Sequence, residues 1–437
     1  MRMPVYFYQS FCPPACDNTG FASEYCMSVA RPAPISQLSW ATLLFPLALV
    51  LFEFATYISN DMILPGMPAV VREFAADPAW IPTAMTLCLL GGASLQWLLG
   101  PLSDRLGRRP VMLAGAIFFT LSCIGIIWVH SFWLFLTFRF LQGVGLCFIG
   151  AVGYATIQES FTETMAVRVM ALMANVALIA PLVGPVAGAA VLQLGDWRWI
   201  FGVVAVVSAI SCLGLWYKMP ETSPKLAEPL HPRQLWQDYR QIYTNRRFVL
   251  GAVALSLNAV PLLGWIALAP VILMQDAGLS TLEYGWWQFP VFGGLILGNI
   301  ALAKLISQLP IQRLITIGSI PLLAGALAGL YLLAEPTAWR WLAWSLAVAA
   351  FGMGMINAAL YRLTLFSSEQ AKGVVAAALG MLNMAVFAGG IELLKWGHAQ
   401  WGNRSFVVLC VLAISLGIAA RRAFLRGEPL HPPVASA

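Results

Sequence analysis

Residues 43–63 read LLFPLALVLFEFATYISNDMI, an apolar run long enough to cross a bilayer whose hydrocarbon core is ~30 Å thick. Two carboxylates, Glu53 and Asp61, lie within this run. A charged side chain near the middle of a bilayer costs ~3 kcal/mol, so such acids are neutral, paired or solvated, and they commonly mark the path of an ion or a substrate. The stretch therefore predicts a membrane helix of a transporter.

The composition extends this prediction to the whole chain. Apolar residues make up 60% of the sequence and charged residues 10%, which excludes a soluble domain. Backbone polar groups in lipid must be satisfied within their own segment, so the apolar runs are predicted to be helices. The expected fold class is an all-α polytopic membrane protein whose twelve spans lie at residues 40–59, 80–99, 110–130, 132–157, 166–190, 199–217, 248–274, 284–306, 314–333, 341–361, 373–393 and 405–420.

Lysine and arginine residues predict the orientation, because short loops rich in these residues stay in the cytoplasm. With the amino terminus inside, most basic residues fall in predicted cytoplasmic segments, including 105–109, 218–247 and 304–313. Lys395 and Arg404 fall on the outer side and are exceptions, and the other outer loops hold only Arg72, Arg198 and Arg340. Both termini are then cytoplasmic, and the formal charge of +6 is a topological signal that requires no nucleic-acid partner.

The longest polar interruption, residues 218–247, divides the predicted spans into six and six. We expect it to be a cytoplasmic linker, and its LWQDYRQIY portion to form a short amphipathic helix on the membrane surface. The remaining predicted regions are a cytoplasmic tail at 1–39, six-helix bundles at 40–217 and 248–420, and a second cytoplasmic tail at 421–437.

The first 26 residues differ from the rest, because no basic segment followed by an apolar run indicates a secretory signal. Cys12, Cys16 and Cys26 lack a second ligand pair at zinc spacing, so no metal site is predicted. Two readings remain open for residues 1–26. They form a disordered tail, or they precede the true start of the protein at Met27 and are not native.

The predicted turn between spans two and three, residues 100–112, reads GPLSDRLGRRPVM. Gly100 and Gly107 permit a close backbone approach, while Asp104 is able to accept hydrogen bonds from a neighbouring helix N-terminus or to pair with an arginine. The second half has a corresponding turn, NIALAKLISQLPIQR, which keeps Lys304 and Arg313 but has no acid that matches Asp104.

Arg139 and a proline-rich span form the next polar features. Arg139 cannot lose its charge, so in a membrane it needs acceptors, and the candidates are backbone carbonyls, Gln142 and the two acids of the first span. The alternative is an arginine that extends to the interface. The fifth span reads ALMANVALIAPLVGPVAGAA, whose prolines are expected to kink the helix and whose small residues allow another helix to approach closely.

These segments together resemble the signatures of a known family. GPLSDRLGRRPV resembles the loop between spans two and three of the major facilitator superfamily, RFLQG resembles its span-four signature, and APLVGPVAG resembles the span-five signature of its drug:proton antiporters. The resemblance implies two six-helix bundles related by pseudo-two-fold symmetry, with a midplane cavity that opens alternately to either side. It also implies a monomer in the bacterial inner membrane that is driven by the proton gradient and has no cofactor.

The resemblance assigns candidate residues to three roles. Glu53, Asp61 and Arg139 would couple protons to substrate. Residues near the substrate would be Tyr57, Asn60, Tyr154, Asn175, Ala177, Leu263, Gln288 and Phe292. Residues that control conformational change would be Gly100, Asp104, Arg105, Gly107, Arg108, Arg109, Pro181, Gly184, Pro185 and Gly188.

The two acids suggest how exchange would work. Glu53 and Asp61 are about 80° apart around an ideal helix and ~12 Å apart along it, so they face one broad sector. An acid in an apolar cavity takes up a proton more readily than in water, and it can hold a proton or a lipophilic cation but hardly both. We expect export of lipophilic cationic and neutral drugs in exchange for protons.

The sequence leaves two other classes of protein to compare with a drug exporter. A proton-coupled nutrient or metabolite symporter would share the fold and differs in the direction of coupled movement. A membrane enzyme is disfavoured because the four histidines fall in predicted loops or tails and no HExxH motif is present. The absence of a GxxxxGK[ST] motif argues against a self-contained ATP-driven pump.

Overall fold

The structure, a computed structural model, describes residues 40–223 and 232–426. The regular elements of these residues are helices. In chain order they are α1 Trp40–Asp61, α2 Met67–Glu73, α3 Ile81–Ser94, α4 Gln96–Leu106, α5 Arg108–Ile127, α6 Phe132–Phe148, α7 Tyr154–Ser160, α8 Glu163–Leu194, α9 Arg198–Lys218, α10 Pro232–Thr244, α11 Arg246–Ala269, α12 Thr281–Trp286, α13 Phe289–Leu305, α14 Ile311–Gly329, α15 Trp339–Leu365, α16 Lys372–Trp401 and α17 Asn403–Leu425.

Short helical segments of other types connect several of these helices. Tight 3₁₀ turns lie at Leu64–Gly66, Pro78–Trp80 and Leu330–Leu333. Wider π-helical stretches lie at Ile149–Gly153, between α6 and α7, and at Pro270–Asp276, after α11.

Among the described residues, ten helical segments are long and apolar enough to cross a membrane, and the bent pair Pro78–Ser94 and Gln96–Leu106 brings the number to eleven. The remaining predicted span, 166–190, falls on α8, whose segment Ile179–Leu194 is also apolar. α8 is one continuous helix of 32 residues that contains both Pro181 and Pro185. The all-helical membrane architecture predicted from hydropathy is therefore confirmed.

Two hydrophobic clusters fill the described part of the molecule. One runs from Phe45 to Met219, and the other runs from Tyr239 to Phe424 and also takes in Leu64 and Met85. We call the residues before the linker the first half and those after it the second half. The halves meet mainly where α3 packs against α16 and where α8 packs against α12. The boundaries of the two bundles remain a prediction.

Two ends of the molecule are distinguished by the connections they carry. The linker end carries the turn between α4 and α5 and the residues that follow α9, while the opposite end carries the ends of α1 and α16. The predicted helix in the linker is present as α10, and its Tyr243 hydroxyl donates to the carbonyl of Ala378 at 3.0 Å. Burial raises the pKa of Tyr243 to about 12, so it remains a neutral donor at physiological pH.

Candidate functional site

Glu53 is buried in α1, with only 1% of the residue exposed. Its Oε1 accepts a hydrogen bond from the Tyr154 hydroxyl at 3.0 Å. Its Oε2 is buried and has no hydrogen-bond partner among the described residues. An ionised carboxylate has about four acceptor positions, so a single neutral donor leaves most of them unsatisfied. This surrounding suits a protonated acid, or an ionised acid that faces a cation.

The Tyr154 side chain comes from the point where α6 passes into α7. The π-helical stretch Ile149–Gly153 immediately precedes it. Such wide turns interrupt the regular succession of side chains along a helix and are frequent at functional sites. Here the stretch sets the direction in which Tyr154 leaves the backbone and contacts Glu53.

Asp61 lies at the end of α1 and is 4% exposed. Two glycines of α8 face it and the next residue: a Cβ added to Gly184 would lie 2.6 Å from the Asp61 Cβ, and one added to Gly188 would lie 2.0 Å from the Met62 carbonyl oxygen. The predicted close approach at the fifth span is therefore present. Its partner is the segment of α1 that carries the second acid.

Arg139 is fully buried in α6, which excludes the interfacial alternative. Its Nη1 donates to Gln142 Oε1 at 2.7 Å and to the Ser59 carbonyl at 3.4 Å, and its Nη2 donates to Asn60 Oδ1 at 2.7 Å. The predicted carbonyl and Gln142 partners are thus present. A direct ion pair with either acid is not formed among the described residues, so that part of the prediction is wrong.

Asn60 connects the arginine to the acid. While its Oδ1 accepts from Arg139, its Nδ2 donates to Asp61 Oδ1 at 3.5 Å. The amide thereby separates the buried positive charge from the carboxylate and remains in contact with both. The resemblance assigned Asn60 to the substrate, whereas its contacts in the structure are with Arg139 and Asp61.

The other predicted substrate residues are distributed over both halves. Tyr57 is partly buried and lies between Glu53 and Asp61 in the sequence of α1. Gln288 is buried, accepts from Trp265 Nε1 at 2.9 Å and donates to the Tyr284 carbonyl at 3.3 Å. Phe292 and Leu263 pack in the cluster of the second half, and the side chains of Asn175 and Ala177 lie outside the described residues.

The predicted gating turn forms an ion-pair network at the linker end. Arg108, which is 8% exposed, contacts Asp104 at 2.5 Å and Glu159 at 3.0 Å. Thr222, just after α9, donates to the same Glu159 at 2.5 Å. Asp104 thus pairs with an arginine, which was one of its two predicted roles. Arg105 is partly buried, and Arg109 Nη2 donates to the Trp216 carbonyl at 2.6 Å.

The other role predicted for Asp104, accepting a hydrogen bond from a helix N-terminus, is filled by Glu221. Its Oε1 accepts from the backbone N–H of Arg108, at the start of α5, at 2.8 Å. Gly107 lies beside it with φ +106, a value that L side chains rarely adopt, and a Cβ there would lie 2.4 Å from Glu221 Oε2. Gly100, in contrast, has no atom within 4 Å of an added Cβ. The expected close approach at Gly100 is therefore wrong.

Sequence reasoning did not identify Glu159 or Glu221 as part of this network. Glu221 belongs to the PETS sequence at residues 220–223, directly after a basic helix end, and an acid in that position is the one signal that was present. No group of three or more histidine, cysteine, aspartate or glutamate residues is arranged to hold a metal ion in the parts of the chain that the structure covers. Cys12, Cys16 and Cys26 lie outside these parts.

Comparison with known proteins identifies the family. A model described as Major Facilitator Superfamily matches residues 49–391. The chain belongs to the Major Facilitator Superfamily. The predicted family and fold class are thereby confirmed.

Relatives in this superfamily cover nearly the whole chain. It is similar to the multidrug transporter MdfA of Yersinia pestis bv. Antiqua (strain Angola), with 51% identity over 398 residues, 91% of this chain and 97% of that protein. The MdfA of Edwardsiella ictaluri (strain 93-146) is 49% identical over 393 residues, 90% of this chain and 96% of that protein. The MdfA of Escherichia coli O6:H1 (strain CFT073) is 50% identical over 372 residues, 85% and 91%.

Solved structures agree on the superfamily fold. A bacterial homologue of the human lysosomal transporter Spinster, in an inward-facing and unoccupied conformation, superposes with a TM-score of 0.68 at 16% identity and covers 90% of this chain and 100% of that one. A D-xylose-proton symporter gives a TM-score of 0.68 at 17% identity, with 89% and 97% covered. At these identities the likeness concerns the fold alone.

Proposed function

We propose that this protein, which is a multidrug transporter and not an enzyme, exports lipophilic cationic and neutral compounds in exchange for protons. Relatives named multidrug transporters are 49% to 51% identical to it over about nine-tenths of its length, which supports the drug substrates. We place it in a bacterial inner membrane as a monomer. The linker end, which carries Arg105, Arg108 and Arg109, would then be cytoplasmic, in agreement with the preference of basic loops.

The unsatisfied carboxylate of Glu53 is the observation that carries the exchange mechanism. In the described residues it receives one hydrogen bond, from a neutral hydroxyl, and its second oxygen receives none. Leaving a buried charge in this state is costly, so the acid is stable with a bound proton or beside a bound cation. Arrival of a lipophilic cation therefore displaces the proton, and protonation from the opposite side releases the cation.

Asp61 would link this exchange to movement of the helices. It contacts α8 through Gly184, and two residues farther along α8 Val186 packs against Gly285 of α12 in the second half. Gain or loss of a proton at Asp61 changes its hydrogen bonding to Asn60 and hence the position of the end of α1 against α8. Because no side chain separates these backbones at the glycines, such a change would be passed to the contact between the halves.

Energy for export would come from the proton gradient. Each net positive charge that moves inward gains ~2.3 kcal/mol per 100 mV of membrane potential. Exchange of a neutral drug for one proton therefore uses both the potential and the pH difference. Exchange of a monovalent cation for one proton moves no net charge and uses the pH difference alone.

The ion-pair network of Arg108 would hold several segments of the first half together at the linker end. It joins the turn after α4, the end of α7 and the residues after α9. These segments all belong to the first half, so we propose that the network keeps that half rigid while the two halves move.

A proton-release measurement tests the exchange. Tetraphenylphosphonium is added to purified full-length protein in weakly buffered detergent solution, and the released protons are measured with a pH indicator. We expect release from the unmodified protein, loss of most of it in Glu53→Gln, and a decrease in Asp61→Asn. Glu369→Gln, which alters an exposed acid between α15 and α16, is the matched control and should behave as the unmodified protein. Undiminished release from both site variants would refute the assignment.

Proteoliposomes decide between an antiporter and a symporter. An imposed proton gradient is combined with a radiolabelled cation, and the direction of cation movement is followed. The proposal requires cation to move against the direction of the protons. Movement of both in the same direction would favour a proton-coupled symporter for nutrients or metabolites.

A further inference from the structure

Lys395 is one of the basic residues that depart from the predicted charge distribution, because it lies near the end of α16 at the opposite end of the molecule. It is partly buried, with 19% of its side chain exposed. A buried ammonium group requires acceptors. Whether these acceptors belong to one half or to both determines whether Lys395 can hold the two halves together.

Two of its three contacts cross between the halves. Its Nζ donates to the Thr83 hydroxyl of α3 at 2.8 Å and lies 5.1 Å from the centre of the Trp80 ring, and both residues belong to the first half. The third contact is an ion pair with Glu392, three residues earlier on α16. Lys395 is thus held by its own helix and by the other half at once.

This division of partners would leave Lys395 one charged partner if the halves separated. If the halves separate at this end, Lys395 loses Thr83 and Trp80 but keeps Glu392, which moves with it on the same helix. Water then replaces the lost contacts. The charge of the lysine would therefore stay paired with Glu392 when the halves open.

Lys395 lies on α16, which packs against α3 of the first half, and Met85 of α3 packs in the hydrophobic cluster of the second half. A cavity of about 430 Å³ lies beside Lys395, bounded by Pro78, Ala79 and Pro82 of the first half and by His398 and Ala399 of the second. His398 lies 3.3 Å from Asp276, but both residues belong to the second half and their contact does not join the halves. The contact between Lys395 and Thr83 therefore lies at the edge of this cavity and adds a polar contact to the apolar packing of α3 against α16.

We propose that Lys395 is a positioning residue of the transport cycle that latches the two halves together at the end of the molecule opposite the linker. Its contacts with Thr83 and Trp80 form in the conformation closed at that end and break when it opens. The latch acts on the same conformational change as drug export but is defined without a drug. A failure of one proposal is therefore distinguishable from a failure of the other.

Distance measurements test the latch directly. Spin labels are placed at Ala79 and Ala399, exposed residues of the two halves that border the same cavity, in full-length protein whose native cysteines are replaced. The protein is reconstituted in lipid nanodiscs without drug. Thr83→Val removes one hydrogen bond and should raise the ratio of open to closed molecules about fivefold, the equivalent of about 1 kcal/mol.

Three further variants make the test specific. Lys395→Met should open the protein at least as far as Thr83→Val, and adding Thr83→Val to it should have no further effect, because the partner is already absent. Lys395→Arg can reach the same partners and should restore the closed distance. Thr86→Val is the matched control, since the hydroxyl of Thr86 donates within α3 to Pro82.

The possible results divide clearly. A longer distance in Thr83→Val and in Lys395→Met, with the short distance kept in Thr86→Val and Lys395→Arg, supports the latch. The same distance in Thr83→Val as in the unmodified protein overturns it. Equal opening by Thr83→Val and Thr86→Val, or additive opening by Thr83→Val and Lys395→Met, also overturns it, because the effect would then not arise from this contact.

Discussion

Replacement of Gly188 by alanine tests whether the close contact between α8 and the end of α1 is needed to hold Asp61 in the position required for proton exchange. The added Cβ would lie 2.0 Å from the Met62 carbonyl oxygen, 2.9 Å from the Met62 carbonyl carbon and 3.0 Å from Pro65 Cγ. An ordinary contact between carbon and oxygen is roughly 3.3 Å, so the two backbones must separate by roughly 1 Å. Neither can avoid the clash by rotating a side chain, since the obstructing oxygen belongs to the main chain.

The cost of this separation is about 1–3 kcal/mol, the usual range for an overpacked contact. The displaced segment carries Asp61, so the hydrogen bond from Asn60, already 3.5 Å long, should be lost. We therefore expect Gly188→Ala to unfold at lower temperature in detergent and to lose most drug export and drug-induced proton release. Gly184→Ala should have a smaller effect in the same direction, because its Cβ would meet the Asp61 Cβ at 2.6 Å.

Gly202→Ala provides the matched control. Gly202 lies in α9 of the same half and has no atom within 4 Å of an added Cβ. Gly202→Ala gains the same helix propensity as Gly188→Ala, up to about 1 kcal/mol, but introduces no clash. The reasoning is refuted if Gly188→Ala and Gly202→Ala have the same melting temperature and the same export rate.

Two further predictions concern Asn60 and Gly107. Asn60→Leu removes the acceptor of Arg139 Nη2 and should destabilise the protein by about 1.5–3 kcal/mol, the range for hydrogen bonds to charged groups. Chemical unfolding measures the loss of stability. A change below about 0.5 kcal/mol would contradict the role of Asn60 as the link between Arg139 and Asp61. Gly107→Ala should lower stability and export because it combines φ +106 with a Cβ 2.4 Å from Glu221. Gly100→Ala, in α4, should lower neither, and equal losses of melting temperature and export in the two alanine variants would contradict this prediction.

The helical fold and the burial of the acids of the first span can be predicted from local sequence, because they depend on the length and polarity of single segments. The spans are predictable because each must supply an apolar run of about bilayer length. Glu53 and Asp61 stand out because an acid within such a run is costly, and both are indeed buried. The close approach at Gly184 and Gly188 is predictable from side-chain size.

The contacts that sequence reasoning missed join residues far apart in the chain. Glu221 caps α5 through the N–H of Arg108, 113 residues away, and neither segment contains a local pattern that requires this. Asn60 was interpreted by position and not by its partners, which only the packing of α1 against α6 defines. Gly100 has no Cβ but also no atom close enough to meet one, so residue type alone does not indicate a contact.

The orientation of the Asn60 amide has a consequence for proton conduction. A guanidinium group can only donate hydrogen bonds, so Arg139 requires the oxygen of the amide and leaves its NH₂ group for Asp61. The donors therefore all point one way, and a proton that reaches the carboxylate finds no acceptor through which to continue. The series of hydrogen bonds from Arg139 through Asn60 ends at Asp61. Protons must therefore reach and leave the Asp61 carboxylate from the side that does not face Asn60. Uptake and release of the proton then use the same face of the carboxylate.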